Sequence, residues 1–196
     1  QAGIQTKIVV YDHNADRPDY PISVLSDPIA NPFIDGSAFH LYGGQIEALS
    51  EVHRAFPDKS LYFTEQWVGA PGNLEGDIAW HVKNLLIGAP RNWAKTVLEW
   101  NLSSNPSLSP HTDRGGCHRC LGAITIGGDS VTRNPAYYVI AHASKLVDPG
   151  SYRIGSSMPE GLPNVAFIRK DGKQVLIVQN DSNANKQFEI RSVNQH

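Results

Sequence analysis

Over the first two-thirds of the chain, short runs of apolar and β-branched residues alternate with stretches whose apolar positions recur every three or four residues. The first pattern predicts buried strands and the second predicts helices with one buried face. Lys7-Ile8-Val9-Val10-Tyr11 is the first strand, closed by the polar cluster Asp12-His13-Asn14. A Pro-punctuated stretch from Asp19 to Pro32 leaves room for a short helix, and Ser37-Ala38-Phe39-His40 reads as the second strand. Ile46, Leu49, Val52 and Phe56 then recur at helical spacing until Pro57 stops the helix. Ser60-Leu61-Tyr62-Phe63-Thr64 makes a third strand, ending in Glu65-Gln66-Trp67. After a Gly/Pro loop comes a helix with Ile78, Val82, Leu85 and Leu86 on its apolar face. Lys95 to Trp100 is the fourth strand, followed by a long loop through Cys120. Asn134 is placed to cap a helix that has Pro135 in its first position and runs to about Lys145.

From Ser151 the pattern changes to short strands: Val165 to Ile168, Val175 to Val178 and Gln187 to Ile190, with Asp171-Gly172 as a hairpin turn. The chain therefore reads as α/β over residues 1–148, with about four βα units, and as part of an antiparallel β-sandwich over residues 149–196. Four βα units suit either an open sheet or half of a (β/α)8 barrel. An open sheet that binds a dinucleotide needs a Gly-rich phosphate loop after its first strand, and Asp12-His13-Asn14 offers none. The residues able to do chemistry collect instead where successive strands end, as in a barrel. An intact barrel takes about 250 residues, so half of one is expected here.

Composition narrows the partners. With 40% hydrophobic and 18% charged residues the chain is a globular one rather than a disordered one. A net charge of -2 gives no broad attraction for nucleic acid or anionic membranes. No apolar run approaches the roughly 20 residues of a transmembrane helix. Gln1-Ala2-Gly3 has neither the basic nor the apolar region of a signal peptide, and there is no initiator Met, so a piece of a longer protein is expected. Cys117 and Cys120 form a local disulfide, a reduced structural pair, or half of a metal or redox site. Zinc would want four ligands, no second Cys/His pair follows, and a polar Gly-rich loop is not the helix start of a redox motif, so a structural pair is the reading.

Glu65 closes an apolar strand, where a carboxylate is costly to desolvate without a role or a partner. Taken alone it reads first as a structural carboxylate bound to a neighbouring Arg or amide. Trp100, at the matching end of the next strand, changes the balance, because a sugar packs its C–H face on an indole while its hydroxyls seek polar partners. His40 and Tyr42 end the second strand, and Asp12, His13 and Asn14 the first. Each of these could be an ordinary loop or core residue; together they make a polar and aromatic rim. Glu99 is expected to face away from Trp100, since side chains alternate along a strand, and to be a partnered structural carboxylate.

Asp12-His13-Asn14, Phe39-His40-Leu41-Tyr42-Gly43-Gly44, Tyr62-Phe63-Thr64-Glu65-Gln66 and Glu99-Trp100-Asn101-Leu102 stand in the order and spacing of glycoside hydrolase family 30. The likeness continues through Asn134-Pro135-Ala136-Tyr137-Tyr138 and Ser151-Tyr152-Arg153-Ile154-Gly155. The chain thus resembles the family that includes glucosylceramidases and microbial β-1,6-glucanases. That resemblance implies a (β/α)8 barrel joined to a β-sandwich, with this chain supplying about strands five to eight. It implies a retaining β-glycosidase in which Glu65 is the nucleophile. By the same matching, His40, Tyr42 and Trp100 resemble residues that line the sugar site, and Asp12, His13, Asn14 and Gln66 are taken with them as binding a β-glucoside or glucosylceramide-like substrate. The family's acid/base lies in an Asn-Glu-Pro stretch that does not occur here, so it is expected in a missing amino-terminal half. No cofactor or metal is implied. The Thr-Glu-Gln version and the Gly-Gly-Cys-x-x-Cys loop resemble bacterial members, which points to a secreted or periplasmic protein. The competing reading is a non-catalytic carbohydrate-binding or assembly fragment.

Overall fold

The computed structural model describes Gly3 and residues 5–191. Gln1 and Ala2, which bear on the reading of a leader, lie outside the described residues. The elements run in the expected order. Strand β1 (Ile8–Ala15) leads to helix α1 (Asp19–Leu25), and β2 (Ile34–Gly44) to α2 (Ala48–Ala55). Strand β3 (Ser60–Glu65) is followed by the two-residue β4 (Val68–Gly69), then by α3 (Leu74–His81). A π-helical turn (Val82–Gly88) and α4 (Ala89–Arg91) continue α3 to the start of β5 (Ala94–Val97).

Strands β1, β2, β3 and β5 form a parallel sheet in sequential order. Because the order never reverses, the sheet has no switch-point crevice of the dinucleotide-binding kind. Phe39, Leu61 and Phe63 face the helices, where they pack with Leu25, Leu49, Val52 and Leu85 into one buried cluster. The helical spacing of Leu49, Val52 and Leu85 predicts their place in it.

Four boundaries differ from the sequence reading. Strand β1 does not stop before Asp12 but carries Asp12, His13 and Asn14 inside it, with His13 and Asn14 paired to Phe39 and His40 of β2. The fourth strand stops at Val97 rather than Trp100, and beyond it, among the described residues, only Leu98 N to Phe63 O and a single parallel bridge of Trp100 to Trp67 continue the pairing. The loop expected through Cys120 is not featureless. It holds β6 (Ser103–Ser104) and β7 (Cys120–Leu121), and beyond it β8 (Ile124–Gly127) and β9 (Ser130–Arg133) form a hairpin. Finally, Gln187 to Ile190 is not a strand: Phe188 and Ile190 are exposed, and no described strand pairs with the segment. A β run needs a partner edge as well as a pattern.

Helix α5 (Pro135–Ser144) starts where expected, but the Asn134 side chain does not cap it. Asn134 Nδ2 donates instead to Gly122 O and Thr125 Oγ1, fastening the hairpin to the helix. Strands β10 (Tyr152–Ile154), β11 (Asn164–Ile168) and β12 (Gln174–Val178) form a separate antiparallel sheet, with Gly172 at φ +80° in the expected turn. Val165 and Ile177 of that sheet pack on Val82, Leu86, Ile87 and Val139. Arg91 ties the same contact by donating to Ser156 Oγ at 2.9 Å and Asn164 O at 3.0 Å.

Candidate active site

Alternation alone would send Glu65 the wrong way. On β3 it shares the parity of Leu61 and Phe63, which face the helices. The ladder corrects this. Phe63 pairs with Phe39 and Glu65 with the very next residue, His40, so Thr64 is an extra residue in β3. Strand β1 makes the same shift: Tyr11 pairs with Ala38 and His13 with Phe39, leaving Asp12 as the extra residue. An inserted residue turns the remainder of its strand onto the other face. The result is a row of Asn14, His40 and Glu65 across the carboxy-terminal edge of the sheet. The two inserted residues meet: Thr64 Oγ1 donates to Asp12 Oδ1 at 2.7 Å, and His40 Nε2 donates to the same oxygen at 3.1 Å. Tyr11 and Asp12 take up the shift with φ of 80° and 53°, conformations that side chains other than glycine adopt at a cost.

The Glu65 side chain is 27% exposed, which leaves it open to a ligand while still held. Tyr42 Oη donates to Glu65 Oε1 at 3.0 Å. His40 Nδ1 lies 3.9 Å from that oxygen, beyond hydrogen-bond reach. Among the described residues no Lys or Arg pairs with Glu65. Burial raises the Tyr42 phenol well above its ordinary pKa, and the nearby Glu65 and Glu99 charges push the same way. The hydrogen bond from Thr64 holds Asp12 below the usual carboxylate range, helped by His40. Tyr42 is therefore a fixed donor and Asp12 a fixed acceptor around His40.

The other anticipated residues divide. His13 is exposed on the rim, its ring 6.3 Å from that of His40. Asn14 Oδ1 is buried without a protein partner. Gln66 is buried, its amide donating to Leu41 O and accepting from Trp67 N, so it braces the rim from behind. Trp100 is 45% exposed, bridges in parallel to Trp67, and donates from its backbone to Gln66 O at 2.7 Å. Glu99 takes the partner expected for it: its carboxylate and His81 Nδ1 are 2.7 Å apart, both side chains almost fully buried. Cys117 and Cys120 are joined in a disulfide. Among the described residues no group of three or more His, Cys, Asp or Glu could hold a metal ion. Among the same residues no helix is long and apolar enough to cross a membrane.

Sequence reading missed Thr64 and His81. Thr64 stood inside a strand pattern with nothing to mark it as an insertion. His81 sat on a helix otherwise read for its apolar face.

A carboxylate at the carboxy-terminal end of a parallel strand, held by a phenol with an imidazole alongside, stands where β/α-barrel proteins carry their active sites. Comparison with known proteins gives the family. Residues 1–147 match the glycosyl hydrolase family 30 TIM-barrel domain, and residues 150–196 match the family's β-sandwich domain. The chain belongs to glycosyl hydrolase family 30, a family of glycoside hydrolases. It is 35% identical over 188 residues to the endo-1,6-β-D-glucanase neg1 of Aspergillus fumigatus, covering 91% of this chain and 37% of that protein. It is 30% identical over 192 residues to the lysosomal acid glucosylceramidase of Mus musculus, covering 89% of this chain and 36% of that one. Among solved structures, the endo-β1,6-glucanase BT3312 superposes with a TM-score of 0.82 at 34% identity, over 91% of this chain and 43% of that chain. This chain thus spans little more than a third of the curated relatives' length.

Proposed function

We propose that this chain carries the nucleophile half of a retaining β-glycosidase acting on β-glucosides, with Glu65 as the nucleophile. In this reading residues 1–148 supply strands five to eight of the barrel and residues 149–196 part of the sandwich. The observation that carries it is the aim of Glu65: a register shift turns it onto the His40 face, Tyr42 holds one oxygen, and no cation among the described residues neutralises it. Glu65 would attack the anomeric carbon and form a glycosyl-enzyme through an oxocarbenium-like transition state. A second carboxyl group, about 5–5.5 Å away, would protonate the departing oxygen and later activate water. That second group is not at this edge of the sheet. Glu99 is locked to His81, and Asp12 is held by Thr64 and His40. It therefore comes from the other half of the barrel. His40, Asp12, His13 and Asn14 would contact the hydroxyls of the sugar cleaved, Trp100 would pack on it, and Gln66 would steady the rim. The disulfide supports a secreted or periplasmic setting, where oxidised thiols persist.

The test is to treat the complete protein with a 2-fluoroglucoside that traps the covalent intermediate, then map the adduct by mass spectrometry. A single label on the peptide containing Glu65, lost in Glu65→Gln, is expected. A label on another carboxylate, or turnover with inversion at the anomeric carbon, would reject the assignment.

A further inference from the structure

Just past the end of β5, two titratable side chains are buried against each other. Glu99 Oε1 and His81 Nδ1 lie 2.7 Å apart, with 4% and 6% of the two side chains exposed. The chemistry proposed at Glu65 uses neither. Exchanging a buried ion pair for apolar residues is often neutral or stabilising, so stability alone is a weak reason for this one. The second carboxylate oxygen, Oε2, adds to the cost, because it is buried without a hydrogen-bonding partner.

The pair joins two elements at a defined place. His81 ends α3, three residues after Ile78 and four before Leu85, and so takes a position on the apolar face of the helix. The π-helical turn begins at the next residue, Val82, and such turns are rare and gather at functional sites. The helix is fixed by the segment after β12 as well. Gln179 Nε2 donates to Ala79 O at 3.0 Å, and Lys83 pairs with Asp181. The Trp80 ring stands edge-on to the imidazole, 5.1 Å away between centroids. His81 is therefore a fixed point from which Glu99 can be held.

Glu99 sits where the ladder between β3 and β5 slips. Leu98 N donates to Phe63 O at 3.0 Å, and Trp100 N donates to Gln66 O at 2.7 Å. Thr64 and Glu65 lie between the two acceptors, while Glu99 alone lies between the two donors. The residue across from Glu65 is thus the one that His81 holds. Trp100 follows it directly. Among the described residues neither a hydrogen bond nor a ring contact fixes the Trp100 indole, so the backbone on either side decides where the ring lies. Glu99 is also near enough to the rim for its charge to help raise the Tyr42 phenol.

We propose that His81 and Glu99 are a positioning pair for Trp100: the bond between them fixes the backbone beside the indole, and with it the surface on which the sugar packs. The proposal rests on the glycosidase reading and adds to it two residues that touch no substrate. A misplacement of about 1 Å at a distance from the chemistry can cost about a hundredfold. Because Trp100 packs on the sugar both before and during the reaction, the loss belongs to binding rather than to the chemical step.

The complete enzyme tests this with the trapping 2-fluoroglucoside, whose labelling time courses give a half-saturating concentration and a limiting rate. The double variant His81→Leu, Glu99→Met replaces the pair by apolar groups of similar size and is expected to melt near the wild type. Its half-saturating concentration should rise about tenfold or more, with the limiting rate within about threefold. His81→Asn, whose amide nitrogen stands as many bonds from the backbone as Nδ1, should keep the half-saturating concentration within about threefold of the wild type. In a Trp100→Ala background the double replacement should change labelling efficiency by less than about twofold, because the group it positions is gone. A folded double variant that saturates like the wild type, or one whose loss lies wholly in the limiting rate, would overturn the proposal. An equal loss in the Trp100→Ala background would overturn it as well, by placing the effect in the fold at large. Should the double variant not fold, His81→Leu is read in its place against His81→Asn. If the wild-type enzyme takes no label, the glycosidase reading itself fails and the role of the pair goes with it.

Discussion

The Tyr42 hydroxyl reaches Glu65 Oε1 at 3.0 Å, and the carboxylate it serves helps to keep the phenol protonated. A donor that cannot ionise in the working range is suited to orienting a nucleophile. Hydrogen bonds to charged groups contribute about 1.5–3 kcal/mol. Tyr42→Phe in the complete enzyme should therefore lower kcat/KM by roughly 10–100-fold. A loss below threefold in steady-state kinetics would take Tyr42 out of that role. Asp12 gives a pH signature. Its folded pKa lies below the ordinary 3.8, chiefly through the Thr64 hydrogen bond, so the folded state favours the ionised form. That contribution is complete above the ordinary value and is lost as pH falls through the lower folded one. Urea denaturation from about pH 5 down to pH 2 should show a loss of stability that is shallower in Asp12→Asn. Parallel curves for the two proteins would mean that Asp12 does not report its hydrogen bonds in this way.

At the scale of the element, the register of β1, β2 and β3 decides the site. From Ala38 to His40, β2 advances without interruption while β1 and β3 each carry one residue more, and the extra residues, Asp12 and Thr64, bond to each other past His40. The approach of β2 to β3 is close enough that a Cβ at Gly36 would overlap the carbonyl of Ser60. Backbone, unlike the end of a flexible side chain, has little room to give. Gly36→Ala should cost about 3 kcal/mol, at the upper end for overpacking. It should also disturb Glu65, which lies further along the same ladder. Thermal denaturation measures the first effect and the yield of the 2-fluoroglucosyl adduct the second. A variant as stable as the wild type would show that the strands can part there without loss.

The parallel sheet of the molecule has two open sides. Strands β1 and β5 each have a partner on one side only among the described residues. Ile8, Val9 and Leu98 lie exposed along those margins at 48%, 39% and 51%. Unpaired edges next to apolar surface promote pairing with other chains. The 196 residues alone are expected to sediment as oligomers that grow with concentration. A concentration-independent monomer with a cooperative unfolding transition would contradict this. The β10–β12 sheet is seated differently, because the Arg91 bonds and the Val165 and Ile177 contacts attach it to helices on the covered face.

The sequence alone determined the order of elements, the helix faces that carry Leu49, Val52 and Leu85, the turn at Asp171-Gly172, and the family motifs around His40, Glu65 and Trp100. Those features are local: each comes from periodicity, from Gly, Pro and Asn chemistry, or from a short word of residues. The direction of Glu65 was not local. It depends on one residue in β3 having no counterpart in β2, which becomes visible only when the strands are laid side by side. The pairing of Glu99 with His81 and the hairpin that takes Asn134 away from its cap likewise join segments distant in the chain. Tertiary structure decided these, because a hydrogen bond of this kind is set by the groups lying across from a residue and not by its neighbours along the chain.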